Sequence, residues 1–461
     1  MAAKFLIPVL FGILALAGCS EPGGKAEKAA EPAAFHIPVA YHKLDNGLRV
    51  VLSEDHSVPT VTVGVYYRIG FRIEPRDRTG FAHLFEHMMF QGSPHMPKGA
   101  FDKFIEGNGG INNGSTRFDF TNYFEVMPSN QLEPLLWVEA DRMRGVDLSA
   151  ESLKNQQGVV QNEVKVNVLN RPYGGFPWLD MPQYANQNWY NSHNFYGDLE
   201  DIANAKVEDV KAFFDTYYAP NNAVLVIAGD FDPKQAVGWA RKYFGPIAAA
   251  KLPPPADLTE PEQTAEKRAE KEDPFAPRPA LAFAYHMPPR GTAEYYAMGL
   301  LDYILLQGSD SRLSRKLVND DGITANVFGG VNMLGNMFDY DGPMLWTAAL
   351  IHDSAFTPDV IMDAVNTVID GVRNKPVDQA EIDRAKRKMK STFYNAVGSS
   401  TRFGLVNLLA AFALFDDDPG RINRIEGDLE AVTPALLRET AKRWLRPENR
   451  TVLVLEPKMA R

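Results

Sequence analysis

The chain has 461 residues, of which 45% are hydrophobic and 11% aromatic, a composition typical of a folded globular protein. A chain of this length is too long for one ordinary core, so two or more domains are expected. The net charge is −10 and the sequence has no block of Lys and Arg. These features argue against nucleic acid as a partner, although acidity by itself selects no substrate.

The N-terminus indicates export. Lys4 precedes an apolar run over Phe5–Leu16, the pattern of a secretory signal that is too short to span a membrane. The run leads into Leu-Ala-Gly-Cys, with Cys19 last, which resembles the lipobox of bacterial lipoproteins. That resemblance implies a signal peptide over residues 1–19, a lipid anchor on Cys19 and, from Ser20, sorting to the outer membrane of a Gram-negative cell. An ordinary secretory signal that contains a cysteine is the alternative.

Residues 20–39 are rich in Ala, Glu, Lys and Pro and predict a flexible tether to a folded part that begins near Ala40. The expected location is the periplasmic side of the bacterial cell envelope. Because Cys19 is the only cysteine in the chain, no internal disulfide is expected.

Hydrophobic periodicity predicts a mixed α+β fold. An Asp-Asn-Gly turn at 45–47 precedes the first strand, and Phe118, Phe120, Phe124 and Val126 alternate with polar residues as in a half-buried strand. The other predicted strands cover 48–52, 61–67 and 223–228, and the predicted helices cover 79–90, 98–106, 131–145, 149–165 and a stretch within 197–218.

A change of composition divides the folded chain. Residues 251–279 hold three consecutive prolines and a Glu/Lys/Ala-rich run, which predicts a linker between a domain at 40–250 and a domain at 280–461.

The two halves share short patterns. Gln91-Gly92-Ser93 recurs 216 positions later, and Pro220-x-Asn222 before a Val-Leu-Val run recurs 227 positions later. Matches at nearly one spacing suggest a duplicated α+β domain, although each match is weak and coincidence is the alternative.

The pattern most specific for chemistry is His83-Leu-Phe-Glu86-His87. Residues four apart share one helix face, so the two imidazoles can reach a single metal ion, with Glu86 beside them. Random placement of 9 His and 58 Asp+Glu would give this pattern about 0.02 times in the chain. A helix that carries histidines for no chemical reason is the alternative. The opposite face is apolar at helical spacing, with Phe81, Leu84, Phe85, Met88 and Met89.

This pentad resembles the inverted zinc motif of the pitrilysin-type (M16, inverzincin) metallopeptidases. In that family the third zinc ligand is a glutamate about 75 residues downstream in a V-x-x-E pattern, which Val160 and Glu163 fit. The resemblance implies one Zn²⁺ per chain held by His83, His87 and Glu163, with Glu86 as the general base that activates a zinc-bound water. For Glu163, a solvated helical carboxylate is the alternative.

The resemblance extends to the segment that begins at Asn113-Gly114-Ser115. It implies that these three residues bind substrate, which is held as an added strand along a sheet edge, so that backbone rather than side chains is recognised. For Asn113, a plain turn role beside Gly114 is the alternative. The implied fold is two related α/β-sandwich domains, without a metal site in the second, that form half of a clamshell.

Two departures from the family's pattern stand out. Gln156 occupies a place where the family often has a glutamate, and Val318 and Ala325 occupy the places of an arginine and a tyrosine that contact substrate from the facing half. The change at Gln156 removes a negative charge that would influence metal affinity or the pKa of Glu86. The missing arginine–tyrosine pair predicts a heterodimer with a related subunit that supplies it, rather than a homodimer.

The predicted function is that of a zinc-dependent endopeptidase acting on peptides or unfolded polypeptides. A non-catalytic scaffold or assembly subunit of the same family is the first alternative. A dedicated precursor-processing peptidase is the second, and the sequence does not separate it from general peptide clearance.

Overall fold

The computed structural model describes residues 35–458. The predicted signal peptide, Cys19 and the first part of the predicted tether lie outside the described residues. A compact unit begins at Ile37, whose side chain is buried and whose N–H donates to Oδ1 of Asn423 at 2.8 Å. The prediction of a tether up to residue 39 is therefore wrong for residues 37–39. Among the described residues, no helix is both long enough and apolar enough to cross a membrane.

The first lobe is built on a six-stranded sheet with the order β1-β2-β6-β3-β5-β4. The β2 and β6 strands are parallel and the remaining neighbours are antiparallel. The strands are β1 (Ala40–Lys43), β2 (Arg49–Glu54), β3 (Thr60–Tyr67), β4 (Ile111–Thr116), β5 (Thr121–Pro128) and β6 (Ala223–Gly229). The β4 strand pairs only with β5, so it forms an edge of this sheet.

The second lobe is built on a five-stranded sheet with the order β7-β11-β8-β10-β9. Its strands are β7 (Lys267–Asp273), β8 (Ala280–His286), β9 (Thr324–Val331), β10 (Leu345–His352) and β11 (Arg450–Pro457). Order and direction match β2-β6-β3-β5-β4, with one parallel pair followed by antiparallel neighbours. The predicted fold class, two related α/β domains, is confirmed.

The prediction of a linker over 251–279 is wrong for residues 267–273, which form β7 and pair with β11 in parallel. The prediction fails because of the amino-acid composition of this segment. Lys-Arg-Ala-Glu-Lys-Glu-Asp alternates half-buried and exposed positions, and charged side chains are common on edge strands because they block pairing with other chains. The same residues are common in linkers, so composition alone does not separate the two.

Helices cover both faces of the first sheet. Most helices of the first lobe pack on one face, and the second-lobe helix Phe403–Phe415 lies on β3 and β6 on the other. The first-lobe helices are α1 (Phe81–Met88), α2 (Ala100–Gly107), α3 (Leu132–Arg144), α4 (Ala150–Val164), α5 (Asp180–Ala185), α6 (Trp189–Ser192), α7 (Leu199–Asn204), α8 (Val207–Tyr217) and α9 (Pro233–Phe244). The second-lobe helices are α10 (Ala293–Leu305), α11 (Arg312–Ser314), α12 (Pro358–Asn374), α13 (Gln379–Val397), α14 (Phe403–Phe415), α15 (Ile425–Glu430) and α16 (Pro434–Trp444).

Contacts near α14 join the two lobes. The segment before it fixes the end of β3, where Thr62 donates to the carbonyl oxygen of Thr401 at 2.6 Å. Arg402 bonds the Asp55 carboxylate at 2.8 and 3.0 Å. Because α14 is apolar on nearly all sides, it is stable only when buried between layers. Its burial explains why one hydrophobic cluster extends from the first sheet into the second lobe.

The predicted strand over 117–126 is wrong in both extent and face. Residues 117–120 turn between β4 and β5, and Asn113 lies within β4 opposite Phe124. The turn alternative for Asn113 is therefore wrong as well. From Tyr123 onward, the buried positions of β5 are Tyr123, Glu125 and Met127, whereas Phe124 and Val126 are half-buried.

Candidate metal centre

The helix that carries the pentad is anchored as its periodicity predicts. The apolar residues predicted on its far face are all buried, namely Phe81, Leu84, Phe85, Met88 and Met89. His83 is also buried, while His87 is half-buried on the opposite side. One face of α1 is thus fixed in the core of the first lobe and the other presents two imidazoles.

The start of α1 is held by a residue that the sequence analysis missed. Gly80 adopts φ +82° and has no side chain to cap the helix, so the first N–H groups need an acceptor from elsewhere. The buried carboxylate of Glu74 accepts from Gly80 N at 2.8 Å and from Ala82 N at 2.6 Å. Burial raises the pKa of Glu74 to about 8. Nothing in the sequence reveals this capping, because Glu74 lies outside the helix.

The structure brings His83, His87 and Glu163 together. Nε2 of His83 lies 3.5 Å from Oε1 of Glu163, and Nε2 of His87 lies 3.2 Å from Oε2. One potential ligand atom from each of the three residues lies within 4.8 Å of the others, and residues 35–458 contain no other such group of His, Cys, Asp and Glu. The imidazoles hold the pKa of the Glu163 carboxyl well below its usual range.

The chemistry of these donors fits zinc. Two imidazole nitrogens and one carboxylate are the ligand set of many catalytic zinc sites, which leave a further position open for water. The carboxylate of the candidate site, Glu163, comes from α4, whose packing on α1 places it against the two histidines. Gln156, at the departure from the family's pattern, is buried on the same helix.

Glu86 lies beside this group and has one defined partner. Its Oε2 accepts a hydrogen bond from the hydroxyl of Thr116 at 2.6 Å. Thr116 ends β4, so the edge strand fixes the rotamer of the carboxylate. Tyr196 completes the wall, with its ring 5.2 Å from the ring of His83. Burial first, and then the charges of Glu163 and Glu86, raise the pKa of Tyr196.

The three residues predicted to bind substrate lie on β4 but make local bonds. Oδ1 of Asn113 accepts from Gly114 N at 2.8 Å, and the Ser115 hydroxyl donates to Oδ1 of Asn122 at 2.6 Å. Gly114 is different, because a Cβ built there would lie 3.3 Å from Cγ of Glu86. The absence of a side chain at Gly114 therefore gives Glu86 its room.

We expect Thr116→Val to lower the kcat for peptide cleavage by about tenfold, because it removes the hydrogen bond that orients Glu86 while keeping the shape of the side chain. Bound zinc should be unchanged. Thr116→Ser should restore most of the rate. Thr62→Val, which removes a buried hydroxyl from β3 of the same sheet, is the matched control for loss of stability. Equal rates for Thr116→Val and Thr62→Val would contradict the assigned role of Thr116.

Two family models match the chain. "Insulinase (Peptidase family M16)" matches residues 49–186, and "Peptidase M16 inactive domain" matches residues 204–389. Together they cover more than half of the sequence. The chain belongs to the M16 peptidase family. The first model covers the pentad and Glu163, and the second covers most of the second lobe of this M16 chain.

Named relatives include peptidases and a subunit of another complex. The M16 chain is 25% identical to the "Zinc protease PqqE" of Helicobacter pylori over 423 residues, which cover 90% of this chain and 92% of that protein. It is 28% identical to the bovine "Mitochondrial-processing peptidase subunit beta", covering 48% of this chain and 45% of that one. It is 28% identical to the human "Cytochrome b-c1 complex subunit 1", covering 44% and 42%. The chain spans less than half of these two mitochondrial proteins.

Solved structures share the fold. A protease from Helicobacter pylori superimposes with a TM-score of 0.83 at 23% identity, covering 92% of this chain and all of that one. The periplasmic protease PqqL of Escherichia coli gives a TM-score of 0.73 at 16% identity and covers 92% of this chain but 48% of its own. The M16 chain thus corresponds in fold to about half of PqqL.

Proposed function

We propose that this chain is a zinc-dependent endopeptidase that hydrolyses peptides or unfolded polypeptides. One observation carries the proposal: Nε2 of His83, Nε2 of His87 and the Glu163 carboxylate converge at one point, with the Glu86 carboxylate beside them. Membership of the M16 family supports it, as does the similarity along nearly the whole chain to a protein named a zinc protease.

The roles of the side chains follow from their placement. His83, His87 and Glu163 would hold one zinc ion, which when bound lowers the pKa of water toward about 7 and polarises a carbonyl group. Glu86 accepts the proton of the attacking water and passes it to the leaving amine as the peptide bond breaks. Thr116 keeps the Glu86 carboxylate in position. Glu74 holds the N-terminus of α1, the helix that carries His83, Glu86 and His87.

The edge strand accounts for the proposed substrate class. Because β4 has one neighbour in the described sheet, its outer edge is available to pair with an extended polypeptide. Such pairing reads the backbone, so it favours unfolded chains and permits many sequences. Gly114 lets the added strand pass close to Glu86.

We propose that the active form is a heterodimer. Val318 is half-buried and Ala325 is exposed. Neither side chain can donate a hydrogen bond, so the hydrogen-bond donors that contact the reacting carbonyl must come from the facing half. We expect the purified chain alone to bind zinc but to cleave peptides about a hundredfold more slowly than the native complex. Rates measured on both preparations at equal zinc content test this. Full activity of the lone chain would contradict it.

The similarity to "Cytochrome b-c1 complex subunit 1" favours a second candidate, a non-catalytic assembly subunit. The similarity to a mitochondrial-processing peptidase subunit favours a narrower one, a dedicated precursor-processing peptidase. Measuring bound zinc and then cleavage of a fluorogenic peptide, with and without a chelator, separates the assembly subunit from the two peptidases.

We further propose that a lipid on Cys19 holds the enzyme on the periplasmic side of the outer membrane. Labelling with palmitate tests this, because the wild-type chain should incorporate the label and Cys19→Ser should not.

A further inference from the structure

A cavity of about 390 Å³ lies in the second lobe, between α10, β9 and α13. This volume is within the range of small-molecule sites, which extends from about 300 to about 1,000 Å³. None of the residues that line the cavity belongs to the candidate metal centre.

The cavity occupies the place in the second lobe that the metal centre occupies in the first. The Gln-Gly-Ser repeat, displaced by 216 positions, puts Gly299, Asp302 and Tyr303 of α10 where α1 has its first histidine, its glutamate and its second histidine. All three line the cavity. The metal ligands are thus gone from the second copy, but a carboxylate is retained at the position of the general base.

The neighbouring strand is also repeated. A Cβ built at Gly330 of β9 would lie 3.0 Å from Nε2 of Gln307 and 3.6 Å from Oδ2 of Asp302. Gly114 of β4 stands against Glu86 in the same way. Gly329 and Gly330 have φ values of +138° and +142°, where a side chain is strained. The glycine at 330 keeps the space in front of the carboxylate open, whereas a side chain at 329 would collide with the carbonyl oxygen of Thr347 in β10.

Asp302 is a buried carboxylate without a cationic partner. It accepts hydrogen bonds from Nε1 of Trp346 at 2.7 Å and from Nε2 of Gln307 at 3.0 Å. Within residues 35–458, no Lys, Arg or His nitrogen forms an ion pair with it. Lys388 contacts the carbonyl oxygen of Gln307 but forms its ion pair with Asp310. Burial raises the pKa of Asp302 to about 7. An ionised carboxylate in such a place is costly unless a positive charge joins it.

The walls are otherwise mostly apolar. The exposed members of the lining are Gly335, Asn336 and Thr392, so the cavity opens beside α13. The loop at its rim is already fixed, because Nδ2 of Asn332 donates to the carbonyl oxygen of Asn336 at 3.0 Å. The apolar lining is Val331, Met333, Met337, Phe338, Met389, Phe393, Ala396, Leu408, Ile425 and Leu429.

We propose that this cavity binds a small organic molecule that carries a protonated amine on an apolar body, with the amine on Asp302. The carboxylate supplies the charge and the apolar walls supply the contact area, and a volume of about 390 Å³ fits a small molecule rather than a polypeptide segment. The site is separate from the proposed zinc chemistry, so removal of zinc leaves its binding unchanged.

The test uses phenethylamine and its neutral counterpart 2-phenylethanol, with binding followed by ligand-observed NMR on the full chain. We expect the amine to bind at least about tenfold more tightly than the alcohol, since only the amine brings a positive charge to the carboxylate and so forms an ion pair as well as a hydrogen bond. Asp302→Asn, of equal size, should remove this preference. Thr392→Trp, on the exposed face of α13, should block both ligands and tests the site even if Asp302→Asn fails to fold.

Glu86→Gln is the matched control, because it makes the corresponding change in the first lobe and should leave amine binding unchanged. Absence of binding by the wild-type chain, equal affinity for amine and alcohol, or unchanged binding in Thr392→Trp would overturn the proposal. Displacement of phenethylamine by an end-blocked peptide with an internal lysine would assign the cavity to a polypeptide and would also overturn it.

Discussion

Replacement of Glu86 by Gln is expected to lower the kcat for peptide cleavage by about three orders of magnitude while the chain keeps its zinc. Gln has the size of Glu and can still accept the hydrogen bond from Thr116, so the site should keep its shape. It cannot take a proton from water, which is the step that Glu86 performs in the proposed mechanism. Cleavage of a fluorogenic peptide and metal analysis of the same preparation give the two measurements.

Glu106→Gln is the matched control for this variant. Glu106 is exposed at the end of α2, so the same chemical change there should leave both rate and zinc content unchanged. Residual activity of Glu86→Gln within tenfold of the wild type would remove Glu86 from the role of general base. Wild-type chain with full zinc and no cleavage, even in the native complex, would favour the assembly-subunit alternative.

The sequence predicts those parts of the site that depend on local periodicity. The pentad and the apolar residues around it follow one helical repeat, and the structure buries that apolar face as predicted. Glu163 is different, because periodicity gives no reason to select it among the glutamates of the chain. Resemblance to the family selected it, and the packing of α4 on α1 explains the choice in physical terms.

The face of β5 could not be predicted from alternation. Phe124 and Val126 were expected to face the core and Glu125 the solvent, yet Glu125 is fully buried. Arg142 compensates, with its guanidinium 3.3 Å from Glu125 and over the ring of Phe101 at 4.2 Å. Burial raises the pKa of Glu125.

The other face of β5 is covered from outside the first lobe. The ring of Phe124 lies 4.1 Å from that of Phe403 in α14, at a sequence distance that no local pattern reports. A strand covered on both sides carries apolar residues on both faces, so strict alternation gives no reliable prediction of which side faces the helices.

Residues that support the site escaped prediction for a related reason. Glu74 acts through two hydrogen bonds to the start of α1, and Thr116 acts through one hydrogen bond to Glu86. Each bond depends on how loops and strands meet in space. The internal repeat is more informative than its weak matches suggest. It relates the two sheets, and it also relates Glu86 to Asp302, which links the metal centre to the cavity of the second lobe.

Replacement of Glu163 by Gln is expected to weaken zinc binding by at least about a hundredfold, because it removes the one negative charge from the ligand set while keeping its size. Competition with a chromophoric chelator measures this affinity. Glu151→Gln, an exposed change in the first turn of the same helix, is the matched control and should bind zinc as the wild type does.

The two carboxylates can then be distinguished by adding metal. Activity of Glu163→Gln should return in part at high zinc concentration, because its defect lies in binding the ion, whereas Glu86→Gln should stay inactive at every concentration. Unchanged zinc affinity in Glu163→Gln would remove Glu163 from the ligand set. The part of the chain that the structure describes holds no second group to take its place, so that result would contradict the proposed metal centre as well as the role of one ligand.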